Sequence, residues 1–337
     1  MDLTLRPLLT DDIPLLARHL AAVEAVDKTG EHYSEEDLAE EFANPDIEVG
    51  KDIVGVFDCS AGAAGAGDEL VGYFAIYPRS SDGTHQKIHV EGSVTPARRG
   101  EGIGTRVVEA MLARADEVHA ERHPELPAKI NLSGLSSNTA QERLLADFDI
   151  LPERWNFVMR ARLADLDLGD DLPAVPEGLR LVRYGAELDR PMLEAHNAAF
   201  VDHPNFTPWT DVMWQQWVAG SRNFRPELSL LMVEADRPAH VVAYVQSNEF
   251  DAYFEATGRR EAYVAKVGTR REHRGHGLAS LLLRHSLSLY GKAGFDEASL
   301  DVDSENPTGA LGIYQRAGFE VETRWTNYAL ERGPLLG

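Results

Sequence analysis

The sequence predicts an α+β protein made of two tandem copies of one domain. Three observations predict it: a strand and helix order that repeats at a near-constant offset, a glycine-rich turn in the same context in each copy, and one acidic, proline-bearing stretch between them. A chain of 337 residues is also longer than one ordinary core accommodates.

The first copy opens on Leu3-Thr-Leu-Arg-Pro7, a short alternating strand, and continues as a helical pattern from Asp11 to about Ala25. Two β-rich runs follow, Asp52–Asp58 and Leu70–Tyr77, joined through the Gly/Ala segment Ala61–Gly67, which reads as a flexible hairpin connection. The turn Arg99-Gly-Glu-Gly-Ile-Gly104 leads into a helix with apolar Val107, Val108, Met111, Leu112 and Ala115, and Lys129–Gly134 is a further strand. The stretch Asp165–Gly178 carries two prolines and two glycines without helical periodicity and predicts a linker. Domains at 1–165 and 179–337, joined by residues 166–178, are therefore expected.

The second copy repeats the plan. Leu179-Arg-Leu-Val-Arg183 opens it, a helix spans about Glu187 to Phe200, and β-rich runs lie at Leu228–Glu234, Val241–Gln246 and Glu261–Thr269. The turn Arg274-Gly-His-Gly-Leu-Ala279 starts a helix whose Leu278, Leu281, Leu282, His285 and Leu289 fall on one face. The turns lie 175 residues apart and the opening strands 177, which argues for duplication.

Composition narrows the function. A hydrophobic share of 43% with 26% charged residues is that of a soluble globular protein. No apolar run approaches the roughly 20 residues that span a bilayer, so no membrane partner is expected. The N-terminus lacks the basic start and apolar core of a signal peptide. Cys59 is the one cysteine, which excludes an intramolecular disulfide and fits a reducing cytoplasm. A net charge of −22 repels polyanions, so no nucleic-acid partner is expected, and it attracts cationic substrates. His273 and His276 read as solvated turn residues, and no metal site is expected.

A glycine turn at a helix N-terminus presents unpaired N–H groups and a partial positive charge, which suits phosphate oxygens. Neither a Gly-x-Gly-x-x-Gly after a first strand nor a Gly-Lys-Ser/Thr pair is present, which removes the Rossmann and P-loop readings. What remains resembles the GCN5-related N-acetyltransferase (GNAT) superfamily, whose signature is Arg/Gln-x-x-Gly-x-Gly/Ala. Arg99, Gly102 and Gly104 match it, as do Arg274, Gly277 and Ala279. The segment Ser304-Glu-Asn-Pro-Thr-Gly-Ala310, leading through Tyr314 to Gly318-Phe319, matches a second hallmark. The layout, with His196-Asn-Ala-Ala-Phe-Val-Asp-His-Pro204, is similar to tandem enzymes related to mycothiol synthase.

The resemblance implies two GNAT domains, each a mixed, mostly antiparallel twisted sheet flanked by helices, with acetyl-CoA as co-substrate. It implies cofactor contacts from Val267, Thr269, Arg274, Gly275, His276, Gly277, Leu278 and Ala279. In the first copy Val94, Arg99, Gly100, Gly102 and Gly104 take the same places. Asn306 would contact the cofactor arm or cap the following helix. Tyr314 stands where the family's general acid stands. For the base, the family's usual strand position holds Tyr263; Glu261 shares its face, with Asp301 and Asp303 as rivals. The first copy has Leu145 in the tyrosine's region and Asp149-Ile150 in place of Gly-Phe, which implies a structural or cofactor-occupied pseudo-site. The aromatics Phe200, Phe206, Trp209, Trp214 and Trp217, with Asp202 and Asp211 among them, offer a seat for a cation, ordinary core packing or a domain-interface surface. The expected reaction is acetylation of a small-molecule amine of amino-sugar, mycothiol-precursor or antibiotic type. An acyl-CoA-binding module without turnover and a protein N-acetyltransferase are the competing readings.

Overall fold

A computed structural model describes residues 2–60, 69–78, 81, 83–169, 172–202, 206–304 and 309–336. The Gly/Ala segment Ala61–Gly67 lies outside them. In chain order the first elements are β1 (Leu3–Pro7), α1 (Ile13–Asp27), α2 (Glu35–Phe42), α3 (Val49–Asp52), β2 (Ile53–Asp58), β3 (Glu69–Pro78) and β4 (Gln86–Val94). Next come α4 (Ile103–Arg122), β5 (Ala128–Leu135), α5 (Thr139–Ala146) and β6 (Leu151–Arg162). The second series runs β7 (Leu179–Arg183), α6 (Asp189–Phe200), α7 (Asp211–Trp214), β8 (Leu230–Glu234), β9 (Val241–Asn248), α8 (Asp251–Thr257) and β10 (Glu261–Thr269). It ends with α9 (Leu278–Lys292), β11 (Glu297–Asp303), α10 (Ala310–Arg316) and β12 (Glu320–Arg332).

These elements form two compact units, which are not consecutive halves of the chain. The first comprises Met1–Arg154 and Trp325–Gly337, the second Trp155–Arg324. In the first unit the strand order is β1-β2-β3-β4-β5-β12, and in the second β7-β8-β9-β10-β11-β6. Neighbours are antiparallel except β4 with β5 and β10 with β11. The last strand of each unit comes from the other series: β12 pairs with β5 from Trp325↔Leu135 to Arg332↔Ala128, and β6 pairs with β11 from Asn156↔Asp303 to Arg162↔Glu297. This departs from the 1–165 and 179–337 division expected above. The strands involved are 12 and 13 residues long, about twice the usual length, so each carries the chain from one unit's residues into the other's.

Each sheet buries both faces. In the first unit Ile88, Val90 and Ile130 pack with the α4 stripe of Val107, Val108 and Met111, while Leu16, Leu38 and Tyr73 fill the opposite side under α1 and α2. In the second, Ala262, Val264 and Leu300 pack with Leu281, Leu282 and Leu287 of α9, and Met192, Trp214 and Tyr244 form the core under α6. Full burial of each such leucine contributes roughly 1.5–3 kcal/mol, and this fixes which strand face turns to α9. Leu166, Leu168 and Val175 of the expected linker pack against the second unit's core.

Candidate active site

The site starts where two parallel strands part. β10 and β11 are paired at Glu261↔Glu297, Ala262↔Ala298 and Tyr263↔Ser299. Past Tyr263, β10 keeps only its β9 partners, through Thr269↔Ala243, and β11 keeps only β6. A bulge between Val264 and Lys266 falls at the point of parting. Val267–Thr269 therefore has no strand partner on its β11 side among the described residues, which leaves a backbone edge for an extended ligand. The first unit repeats this, with β4 and β5 paired from Gln86↔Ala128 to His89↔Asn131 and separate beyond.

At the end of each open edge stands the glycine turn. Gly277 caps α9 with φ +75° and Gly102 caps α4 with φ +82°, left-handed conformations that a side chain would strain. No atom lies within 4 Å of where a Cβ would project at either position, so the turn's outer surface is open. Leu278 is buried beneath it, and His276 turns its ring to the His273 carbonyl at 3.3 Å. The two arginines point inward rather than toward a ligand. Arg274 donates to Asp202 at 2.8 Å, to the Ala199 carbonyl at 2.7 Å and to the Thr269 carbonyl at 3.3 Å. Arg99 grips Asp27 through both terminal nitrogens at 2.7 and 2.6 Å and reaches the Val94 carbonyl. Each guanidinium thus ties the turn to the end of the unit's first long helix and to the open strand. Asp27 was not singled out from sequence, and Asp202 was named only as an acid among the aromatics; their common spacing of 72 residues from the arginine was the available signal.

Tyr314 sits on α10, half-buried against the second unit's core, with its ring edge-on to Phe319 at 6.1 Å. Burial pushes its hydroxyl up to about 12, so the proton stays on at neutral pH. Val267 packs against the same core. The backbone identifies its counterpart: Phe319 N–H donates to the Tyr314 carbonyl and Ile150 N–H to the Leu145 carbonyl, both at 3.0 Å. Gly318 and Asp149 hold left-handed φ values of +98° and +59° between them. Leu145, 2% exposed, therefore stands at the tyrosine's position in the first unit, with no proton to give. Gly104 of α4 lies tight against Leu144, the neighbour of Leu145 on α5.

Before the bulge, the face of β10 that carries Glu261 and Tyr263 is polar, and so is the odd-numbered face of β11. Glu261 begins β10, six residues and roughly 20 Å of strand before Val267. It is buried and ion-paired with Arg160 of β6, which also binds Glu297 at 2.9 Å and Glu322 at 2.7 Å. Desolvation raises the Glu261 carboxyl and Arg160 opposes that shift. The geometry makes it a strut between strands. Further along the face, the Tyr263 hydroxyl donates to Asp301 at 2.6 Å, beside the parting point. Partial desolvation raises the Asp301 carboxyl, opposed by Tyr263 and the Lys266 ammonium.

Against known proteins, residues 25–131 and 190–319 match the acetyltransferase (GNAT) family. The chain belongs to the GNAT family. It is an acetyltransferase, built as two GNAT units. The mycothiol acetyltransferase of Nocardia farcinica is 31% identical over 257 residues, covering 74% of this chain and 76% of that one. That of Mycobacterium avium is 28% identical over 281 residues, covering 80% and 81%. A GCN5-related N-acetyltransferase from Sphaerobacter thermophilus superposes with a TM-score of 0.76 at 27% identity, covering 98% and 96%. A tandem GNAT protein from the clavulanic acid biosynthesis pathway shares the fold, with a TM-score of 0.69 at 19% identity over 99% of both chains.

Other expected GNAT residues fall in different settings. Asn306 lies outside the described residues. The aromatic segment does not hold its rings open: His196 of α6 fills the space between Phe200, Trp209 and Phe206, at 4.8, 4.2 and 5.5 Å between ring centres. Asp202 serves Arg274 and Arg271, and Asp211 serves Arg190. Trp214 lies in the second unit's core, and Phe200 and Trp209 pack against it. No helix among the described residues is long and apolar enough to cross a membrane. No group of three or more metal-binding side chains occurs among them either.

Proposed function

We propose that this GNAT protein transfers an acetyl group from acetyl-CoA to a primary amine of a small molecule, and that the chemistry belongs to the second unit. The observation that carries the reading is the open β10 edge running from the parting of the strands into the left-handed glycine turn that caps α9. The turn's N–H groups at a helix of 15 residues suit a pyrophosphate, and the Val267–Thr269 edge suits the amide groups of the pantetheine arm. In the reaction the neutral amine attacks the thioester carbonyl, the C–S bond breaks, and the departing sulfur takes the Tyr314 proton. The proton lost by the amine passes to Asp301, which is open to the cleft where Glu261 is sealed by Arg160. A backbone N–H of Val267–Thr269 polarises the carbonyl.

A cationic amine is favoured by the net charge of −22, and the mycothiol acetyltransferase relatives favour a mycothiol-precursor amine over an antibiotic-type one. For the first unit, Leu145 supports binding or scaffolding without turnover. The test is a panel of amines with acetyl-CoA, followed by thiol release. One saturable amine with turnover cut about 100-fold in Tyr314→Phe supports the reading, and no release with any amine overturns it.

A further inference from the structure

Two buried histidines stand at matching places in the two units, and they are wired differently. His19 of α1 and His196 of α6 lie 177 residues apart, the offset of the opening strands. In the first unit the ring is saturated from the edge strand itself: His19 bonds the Ser93 hydroxyl at 2.8 Å and the Thr95 hydroxyl at 3.1 Å. Tyr73, opposite Ser93 in the ladder, donates its own hydroxyl to Glu91 at 2.9 Å. In the second unit the residues at those strand places, six and four before the turn arginine, are Gly268 and Arg270. With no hydroxyl there, His196 bonds the Tyr244 hydroxyl through Nδ1 at 2.6 Å, and its Nε2 has no partner among the described residues. Tyr244 stands opposite Gly268, and a Cβ on that glycine would lie 2.3 Å from the tyrosine ring. Both side chains are sealed from solvent, and burial holds His196 neutral, at about 3.

The ladder also says which amides are free. Continuing the register from Thr269↔Ala243, Val242 lies directly opposite Arg270, and the Arg270 N–H donates to its carbonyl at 2.9 Å. In an antiparallel ladder such bonded pairs alternate, so Gly268 turns its N–H and carbonyl to Tyr244. Val267 and Thr269 then turn theirs to the side from which β11 has parted. We infer that Tyr244 and His196 are positioning residues for the proposed acetyl transfer: the tyrosine ring backs Gly268, His196 fixes the ring, and together they aim the Val267 and Thr269 N–H groups at the thioester carbonyl. The inference rests on that proposed reaction. Glycine is what lets the ring reach the backbone, since a Cβ would drive ring or strand aside. An N–H aimed at a carbonyl oxygen acts most strongly where that oxygen gains charge, so the buttress governs kcat more than binding. The first unit, whose Leu145 has no proton to give, lacks the arrangement; its strand carries the Ser93 side chain where Gly268 leaves room.

The experiment compares Tyr244→Phe, His196→Leu, His196→Asn and Gly268→Ala in the full chain. Two readouts are taken: steady-state kinetics with the acetylated amine, and the infrared carbonyl band of acetyl-CoA labelled isotopically at the thioester carbonyl and bound without amine. Expected is a kcat about tenfold lower in Tyr244→Phe and His196→Leu and about 100-fold lower in Gly268→Ala, with KM for acetyl-CoA nearly kept. His196→Asn, which keeps a polar atom near the place of Nδ1, recovers most of the loss. The bound band lies below that of free acetyl-CoA in the wild type and returns toward it in the three damaging variants. Tyr73→Phe, the matching change in the first unit, leaves both readouts as in the wild type. Should the other variants fail to fold, Tyr244→Phe, the mildest change, carries the test. Unchanged kcat and band in Tyr244→Phe overturn the inference, as does a raised KM with kcat kept, or the same losses from Tyr73→Phe. If no amine is acetylated but the band moves with Tyr244, the proposed reaction fails and the positioning role stands. Turnover with a wild-type band already at the free value does the reverse.

Discussion

At Tyr314 and Leu145 the same backbone hydrogen bond holds two side chains with opposite consequences. Tyr314 carries a hydroxyl that burial keeps protonated up to about 12. Replacing it with phenylalanine is expected to lower kcat about 100-fold with the thermal midpoint little changed, as steady-state kinetics and calorimetry on one preparation would show. Leu145→Ala should do the reverse, leaving kcat intact while costing about 2–5 kcal/mol of stability in urea melts, because a fully buried leucine leaves a cavity. The pH profile of kcat/KM separates the acid from the base. Its rising limb belongs to Asp301 and the amine, and a tyrosine held near 12 produces no fall below about pH 10. Glu41 of α2, held protonated up to about 8 by burial, gives a stability signature of its own. Its folded form keeps a proton that the unfolded chain releases, so its contribution is whole below the ordinary carboxyl range and is lost as pH rises through about 8. Between pH 5 and 8.5 the wild-type melting temperature should therefore drop relative to Glu41→Gln.

Among the elements, the glycine turns and the strands that feed them hold the candidate site. Gly277→Ala places a side chain at φ +75°, and should raise KM for acetyl-CoA several-fold and cost about 1 kcal/mol, with kcat nearly kept. Much of this was legible in the residues. β10 spans Glu261–Thr269 as its alternation predicts, and the helices after both turns start within the glycine motif. The starts of α1 and α6 shift by two residues because a single 3₁₀ turn, at Thr10–Asp12 and Ala186–Leu188, takes up the first polar positions. What could not be read was partnership across the sequence. Arg160 lies 101 residues from Glu261, and nothing local to either residue announces an ion pair that withdraws the carboxylate from base chemistry. Likewise His196 looked like one polar residue in an aromatic stretch, while in the fold it is the body around which the rings pack.

For the whole molecule, the decisive fact is which residues complete each unit. The first unit needs Trp325–Arg332, whose Tyr328 and Leu330 are in its core, and the second needs 156–162, whose Met159 and Ala161 are in its own. A chain ending at Arg324 should lose the first unit's cooperative melt while keeping the second's, whereas a fragment of residues 155–324 should unfold cooperatively alone, as two-probe melting would register. A cut at the expected linker should yield no stable half. The exchange also sets a timetable for synthesis. Although its residues leave the ribosome first, the first unit waits for the last strand of the chain before its sheet is closed, and the second, complete by residue 324, is free to finish ahead of it. In a chain born N-terminus first, the earlier half is then the later one to mature, and its open β5 edge is the surface most in need of shielding while translation proceeds.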